Sequence, residues 1–297
     1  MSNKLRKMTL EKKHNLTGWA FLAPATFLIA VFSFWPMIKA LVLSFQTGKG
    51  RNMQMAGFTN YIRLFQDDVF IQSIKNTFFY FILQVPIMLV VAMVLACILN
   101  KKDLRFKGFF RTMIFVPCTT SLVAYSIIFR SLFANNGLVN YVLVNIGILD
   151  KPYNFLTQPF AAKMVILLGL LWRWTGYNMV FFLSGLQNIE YSVYEAAKID
   201  GASAIQTFFK ITVPLLKPTI LLTAIMSTNG TLQLFDESVN LTDGGPANAS
   251  ISMSHYIYNL CFKYVPNFGY AAAMSFFILL LVAVLAFIQM RVGDKRD

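Results

Sequence analysis

Apolar runs and short polar stretches alternate along the whole chain. The runs cover residues 18–43, 73–99, 112–134, 161–186, 217–239 and 268–290. Each is long enough for a helix to cross the hydrocarbon core of a bilayer, which takes about 20 residues. In lipid only helices and closed barrels satisfy every backbone N–H and C=O, and runs of this length read as helices. The pattern predicts an all-α membrane protein with six transmembrane helices in one bundle over 18–290. A short N-terminal segment at 1–17 and a tail at 291–297 flank it. No loop has room for a second folded domain, and no internal repeat is evident.

Composition and charge sharpen this picture. The chain is 57% hydrophobic, 15% aromatic and only 13% charged, against about 25% charged in a soluble domain. Its formal charge of +13 does not mark a nucleic-acid binder, because the basic residues are not gathered into one domain. They stand between the apolar runs instead. Lys4, Arg6, Lys7, Lys12 and Lys13 precede the first, and Lys101, Lys102, Arg105, Lys107 and Arg111 follow the second. Lys198, Lys210 and Lys217 follow the fourth, and Arg291, Lys295 and Arg296 close the chain. The opposite loops, 44–72, 135–160 and 240–267, carry fewer positives in more residues. Basic loops stay on the cytoplasmic side, so both termini and the 187–216 loop are expected there, in a multi-pass membrane protein.

The charged start resembles a signal peptide. Yet the run from Trp19 to about Leu43 is too long for one and no small-x-small cleavage site follows, so a retained span is expected. Cys97, Cys118 and Cys261 show neither a disulfide framework nor metal spacing. His14 and His255 have no evident metal or triad partner, and no ATP-binding P-loop is present. No cofactor, metal site, bound nucleotide or covalent chemistry is expected.

The stretch from Tyr194 to Pro218 is the most informative. Ser192 and Glu195 have capping-box spacing, so Ser192 is expected to start a short helix. Ala196 and Ala197 keep one face small enough for another surface to approach closely. Gly201 is expected to end that helix. A second, amphipathic helix then runs to about Val213, where Pro214 stops it before the next span. Taken alone, this is a capped connector lying outside the membrane. Its spacing is Glu195-Ala196-Ala197, three residues, Gly201, nine residues, Ile211, one residue, Val213-Pro214. That spacing resembles the EAA loop of binding-protein-dependent ABC importers, with Val213 in place of the usual Leu.

Other strings point the same way. Leu241-Thr-Asp-Gly-Gly-Pro246, a turn signal in its own right, resembles a segment of the maltose-type, carbohydrate branch of ABC permeases. Further matches lie at Gly57-Phe-Thr-Asn60-Tyr61, at Gly137-Leu-Val-Asn140 and at Phe268-Gly-Tyr-Ala-Ala-Ala273, so the similarity covers nearly the whole chain. It implies a six-helix ABC permease bundle with a cytoplasmic coupling helix, in which Glu195, Ala196, Ala197, Asp200, Gly201, Ala202 and Pro214 dock on an ATPase. It also implies partners: a second permease of similar fold in a heterodimer, two cytoplasmic ATPases, and an extracellular or periplasmic sugar-binding protein. The implied cargo is a carbohydrate, an oligosaccharide in particular, and the implied location is the bacterial cell (cytoplasmic) membrane.

The fifth run is unusually polar for its depth. Amides and hydroxyls left unpaired in lipid cost several kcal/mol, so they are expected to face a bundle interior or an aqueous path. Ser227, Asn229, Thr231, Gln233 and Asp236 exchange hydrogen bonds with little charge, which suits a neutral polyhydroxy ligand. Trp172, Trp174, Tyr177 and Asn178 of the fourth run add aromatic faces for the C–H side of a sugar ring. These nine form the expected substrate path; the plainer reading is that they knit helices together. Arg173 is expected to pair with a carboxylate or a carbonyl inside the bundle rather than to be a direct ligand, and Pro117, Thr119, Thr120 and Ser121 break the third run, as a plain kink or as the lining of a path. The competing class is a stand-alone carrier or channel with Asp236 as an ion site, which would have no use for an EAA loop.

Overall fold

The computed structural model describes residues 10–49, 52–101 and 103–293. Of the basic positions named above, Lys4, Arg6, Lys7, Lys102, Lys295 and Arg296 lie outside the described residues. So do most of the expected N-terminal segment and tail.

Proline decides where the first helix changes its winding. α1 (Leu10–Ile29) runs through one π-helical stretch, Ala30–Phe34, into α2 (Trp35–Ser44). Pro36 has no N–H to give and crowds the preceding turn, and the wider π turn just before it takes up the mismatch. The most apolar window of the His14–Ser44 span is 0% buried within the chain. That surface is left for lipid or another subunit. A hairpin of β1 (Gln46–Lys49) and β2 (Asn52–Met55), with Gln46 opposite Met55, and the short α3 (Thr59–Leu64) follow.

The bundle is built on α4 (Asp68–Asn100), which packs along α8 (Pro159–Gln187). Between them in sequence lie α5 (Lys107–Thr119), α6 (Leu122–Leu132) and α7 (Leu138–Asn145). A Cβ added at Gly176 would lie 1.9 Å from the carbonyl oxygen of Ile114, so α5 crosses α8 at backbone contact. After α8 come α9 (Tyr191–Ile199), α10 (Ala204–Thr207), a π stretch over Phe208–Thr212, α11 (Val213–Leu215) and α12 (Lys217–Leu232). α13 (Asp236–Thr242), α14 (Met253–Tyr258) and α15 (Phe268–Gly293) complete the chain, with α15 against α2 and α12.

Two predicted runs are not straight. The third bends by 98° between α5 and α6, where Pro117 sits in the last turn of α5 and Thr120 and Ser121 leave helical geometry. The fifth stops at Leu232 rather than 239, and its 16 residues rise only about 24 Å. Gln233–Phe235 turn the chain there before α13 begins. Among the described residues four helices are long and apolar enough to cross a membrane. Up to six crossings result when each bent pair, Lys107–Thr119 with Leu122–Leu132 and Ala204–Leu215 with Lys217–Leu232, counts as one.

The two ends of the bundle are held differently. At one end Ala92, Met93, Ala96 and Leu99 of α4 pack on Met179, Phe182, Leu183 and Leu186 of α8, with Leu216 beneath. At the other, polar groups peg the start of α4 to the last third of the chain. Asp67 caps α4 by accepting from the N–H groups of Val69 and Phe70, and its Oδ2 accepts from the hydroxyls of Tyr256 and Tyr270, both at 2.7 Å. Burial acts to raise the Asp67 carboxyl, but the bonds from Tyr270, Tyr256, Phe70 and Val69 outweigh it and hold it below its ordinary value. Asn76 donates to the carbonyls of Asn248 (3.1 Å) and Ile251 (2.9 Å), and Thr77 Oγ1 accepts from the N–H of Met253.

Candidate functional site

α8 and α12 face each other across a cavity of about 440 Å³, closed on a third side by α4 and roofed by the turn into α13. That volume lies in the range of small-molecule sites, roughly 300–1,000 Å³. Trp174, Tyr177 and Asn178 reach it from α8, Ser227, Asn229 and Thr231 from α12, and Gln233 and Asp236 from the turn. Trp172 does not. Each residue turns a helix by about 100°, so when 174 faces the cavity 172 faces away. Its half-exposed indole stacks on Tyr125 at 5.9 Å and tilts against Phe129 at 5.5 Å. Gln84, Met88, Arg173 and Glu237 also line the cavity. Gln84 and Glu237 had a legible signal, an amide midway along an apolar run and a second carboxylate beside Asp236.

Most of these polar groups bond one another. Ser227 Oγ donates to Asn178 Oδ1 (3.2 Å), Thr231 Oγ1 to Gln84 Oε1 (2.5 Å) and Asn178 Nδ2 to the Trp174 carbonyl (3.1 Å). Gln233 Nε2 donates to Asn229 Oδ1 (2.5 Å) at the exposed rim. They join α4, α8 and α12, as the plainer reading expected, while presenting their remaining lone pairs and N–H groups to the cavity. Arg173 behaves otherwise. It is buried, its Nε and Nη1 have no hydrogen-bond partner, and among the described residues no carboxylate lies within 4.0 Å of it. Among the described residues the expected bonding partner is therefore missing, and Glu237 acts on the guanidinium only through its charge. The rings of Trp174 (5.4 Å) and Tyr125 (5.5 Å) flank its guanidinium instead.

At the other end of α8 the chain forms a helical elbow. Gly201, at φ +76°, ends α9 in a left-handed turn: its N–H reaches the Lys198 carbonyl (3.2 Å), and that of Ala202 reaches Ala197 (2.9 Å). The capping box falls elsewhere than expected. α9 starts after Glu190, and Ser192, already inside it, donates to Glu190 Oε2 instead. The box is made by Ser203 and Gln206 at the start of α10. Pro214 likewise sits within α11, and the chain breaks at Leu216, bending by 71° into α12. Tyr194 and Thr212 hydroxyls, 3.4 Å apart, tie the two arms together. Glu195, Ala196, Asp200 and Gly201 are exposed, while Ala197 is buried within the chain, so only Ala196 offers its small face outward. Beside them Ile199, Ile205 and Phe209 are 85%, 72% and 65% exposed.

His255 is not isolated. Its Nδ1 lies 2.9 Å from Ser238 Oγ and its Nε2 3.6 Å from Asp243, which Lys263 also holds at 2.8 Å. This is no catalytic triad, because Ser238 is wholly buried and bonded to Ser250 and Ser252. Burial and the Lys263 charge outweigh the pull of Asp243 and hold the imidazole below its ordinary value. Among the described residues no cluster of His, Cys, Asp or Glu is arranged to hold a metal, and the three cysteines are free.

Residues 67–296 match the family model described as "Binding-protein-dependent transport system inner membrane component". The chain is 51% identical over 292 residues to the lactose transport system permease protein of Rhizobium radiobacter, covering 98% of each. It is 31% identical to the arabinooligosaccharides transport system permease protein of Halalkalibacterium halodurans, covering 96% of this chain and 90% of that one. Among solved structures it is similar to a chain of a bacterial alginate ABC transporter in complex with an alginate pentasaccharide-bound periplasmic protein. There the TM-score is 0.84 and the identity 25%, over 96% of both chains.

Proposed function

The chain belongs to the family of binding-protein-dependent transport system inner membrane components, and on that premise we propose that its cargo is a neutral oligosaccharide, a disaccharide of the lactose kind foremost. It is a multi-pass membrane subunit of an ABC importer and not an enzyme; the ATPase is a separate subunit. The observation that carries the cargo is the 51% identity to a lactose permease over 98% of both chains. The cavity supports it with amides, hydroxyls and three aromatic side chains, Trp174, Tyr177 and Phe235.

In this reading a second permease of similar fold completes a heterodimer, two ATPases sit on the cytoplasmic side, and a solute-binding protein delivers sugar from outside. Both termini and the elbow face the cytoplasm, following the basic residues. Glu195, Asp200 and Gly201, with exposed Ile199, Ile205 and Phe209 beside them, form the face that docks on an ATPase. Closure of the ATPases moves the elbows, and the cavity opens to alternate sides of the membrane.

The test is uptake into proteoliposomes holding both permeases and the ATPases, with radiolabelled lactose and the solute-binding protein outside and ATP inside. Accumulation should require both ATP and the binding protein. Uptake that persists without either, and collapses when an ion gradient is dissipated, would make the chain part of a secondary carrier.

A further inference from the structure

We propose that Arg173 is a direct ligand of the sugar, its guanidinium donating to hydroxyl oxygens of a ring lodged against Trp174 and Tyr177. The inference rests on the neutral-sugar reading of the cavity and names the group that anchors the cargo within it.

The reasoning starts from what Arg173 lacks. A guanidinium stays charged at any physiological pH, and a buried donor without an acceptor is costly. Among the described residues the other buried polar side-chain atoms lining this cavity have partners, while Nε and Nη1 of Arg173 have none. The side chain is 7% exposed, lies midway along α8 and borders the cavity. Its flanking rings supply cation–π attraction but no oxygen. The guanidinium therefore borders the cavity with two of its N–H donors shielded and unpaired, and an acceptor arriving with the cargo completes them once the side chain turns toward it.

Charge says which acceptor. Asp236 and Glu237 border the same cavity, and two carboxylates stand against one guanidinium. A sugar hydroxyl accepts from Arg173 and donates to a carboxylate through the same oxygen, so a neutral polyol satisfies both signs at once. Trp174 and Tyr177, in edge contact at 5.9 Å, give the apolar face of the ring a wall.

The experiment compares wild type with Arg173→Gln in the full complex, reading uptake per ATP hydrolysed for lactose and for each monodeoxy-lactose. We expect lactose uptake per ATP to fall about tenfold or more in the variant. At one or two hydroxyl positions the penalty for the missing oxygen in wild type should vanish in Arg173→Gln. A purely structural role would lower all analogues alike, and the same binding protein in both arms cancels its own preferences. Should Arg173→Gln fail to assemble with its partners, Arg173→Lys carries the same comparison, keeping the charge but losing the Nε donor. An identical deoxy profile in wild type and variant overturns the inference alone. A wild-type complex that takes up no neutral oligosaccharide overturns the proposed cargo and this inference with it.

Discussion

Gly201 isolates backbone geometry from contact at the elbow. It holds φ at +76°, and among the described residues nothing lies within 4 Å of where a Cβ would stand. A substitution therefore clashes with nothing inside the chain, and what remains is the left-handed backbone. An L-residue there costs roughly 1–2 kcal/mol. At 1.4 kcal/mol per tenfold, Gly201→Ala should leave roughly 5–30-fold fewer elbows in the bent form. Gly201→Asn should suffer less, because a short side-chain amide tolerates the left-handed region. The assay is co-purification of the ATPase with the permease pair, together with ATP hydrolysis stimulated by the sugar-loaded binding protein. Wild type, Asn and Ala should rank in that order in both. If Asn were as damaging as Ala, a side chain at 201 would be striking the ATPase itself, and the backbone argument would fail. If all three were equal, the bend would have no part in coupling.

Two further outcomes follow from other sites. Gly176→Ala places a methyl carbon 1.9 Å from the Ile114 carbonyl oxygen, so α5 must move off α8. Overpacking of this kind costs about 1–3 kcal/mol and should lower the melting temperature of the detergent-purified complex measurably. An unshifted melting curve would mean that the two helices do not meet as described. The third outcome concerns pH. Because burial holds His255 below its ordinary value, the folded loop binds fewer protons than the unfolded one. Its stability is therefore full above about pH 6.5, the unfolded value, and is lost as pH falls from there through the depressed folded value. Proteolysis of the 240–267 loop should quicken over that window in wild type and stay flat in His255→Gln. The same pH response in both would assign it to another group.

Much of the architecture was legible because hydropathy and short-range signals act locally. Span positions, the break at Thr120 and Ser121, and the stop at Gly201 follow from residues within a turn or two of where they act. What escaped depends on phase or on distant partners. Trp172 and Trp174 are chemically alike, and only the rotation of α8 against its neighbours decides which one meets the cavity. Two Ser-x-x-Glu/Gln boxes stand eleven residues apart, and the path of the chain leaving α8 selects the second. The fifth span ends early because α13 turns to pack against α6, which hydropathy at 233–239 does not register. Ser227 finds Asn178 across 49 residues. His255 finds Asp243 and Ser238 through an irregular loop with no periodicity to read.

The pegs at the start of α4 also have a consequence in time. Asn76 waits for carbonyls 172 and 175 residues further on, and Asp67 for a hydroxyl 203 residues away. At about 5–20 residues per second of synthesis, the first of these arrives roughly 10–35 s after Asn76 has left the ribosome. Throughout that interval the amide must borrow water, a lipid headgroup or the insertion machinery. The second span is thus threaded early but latched late, by the same loop that carries the Gly-Gly-Pro turn. A ribosome stalled before Asn248 would leave behind a membrane-inserted chain whose oldest polar contacts were never made, an unlatched end that a membrane protease could recognise.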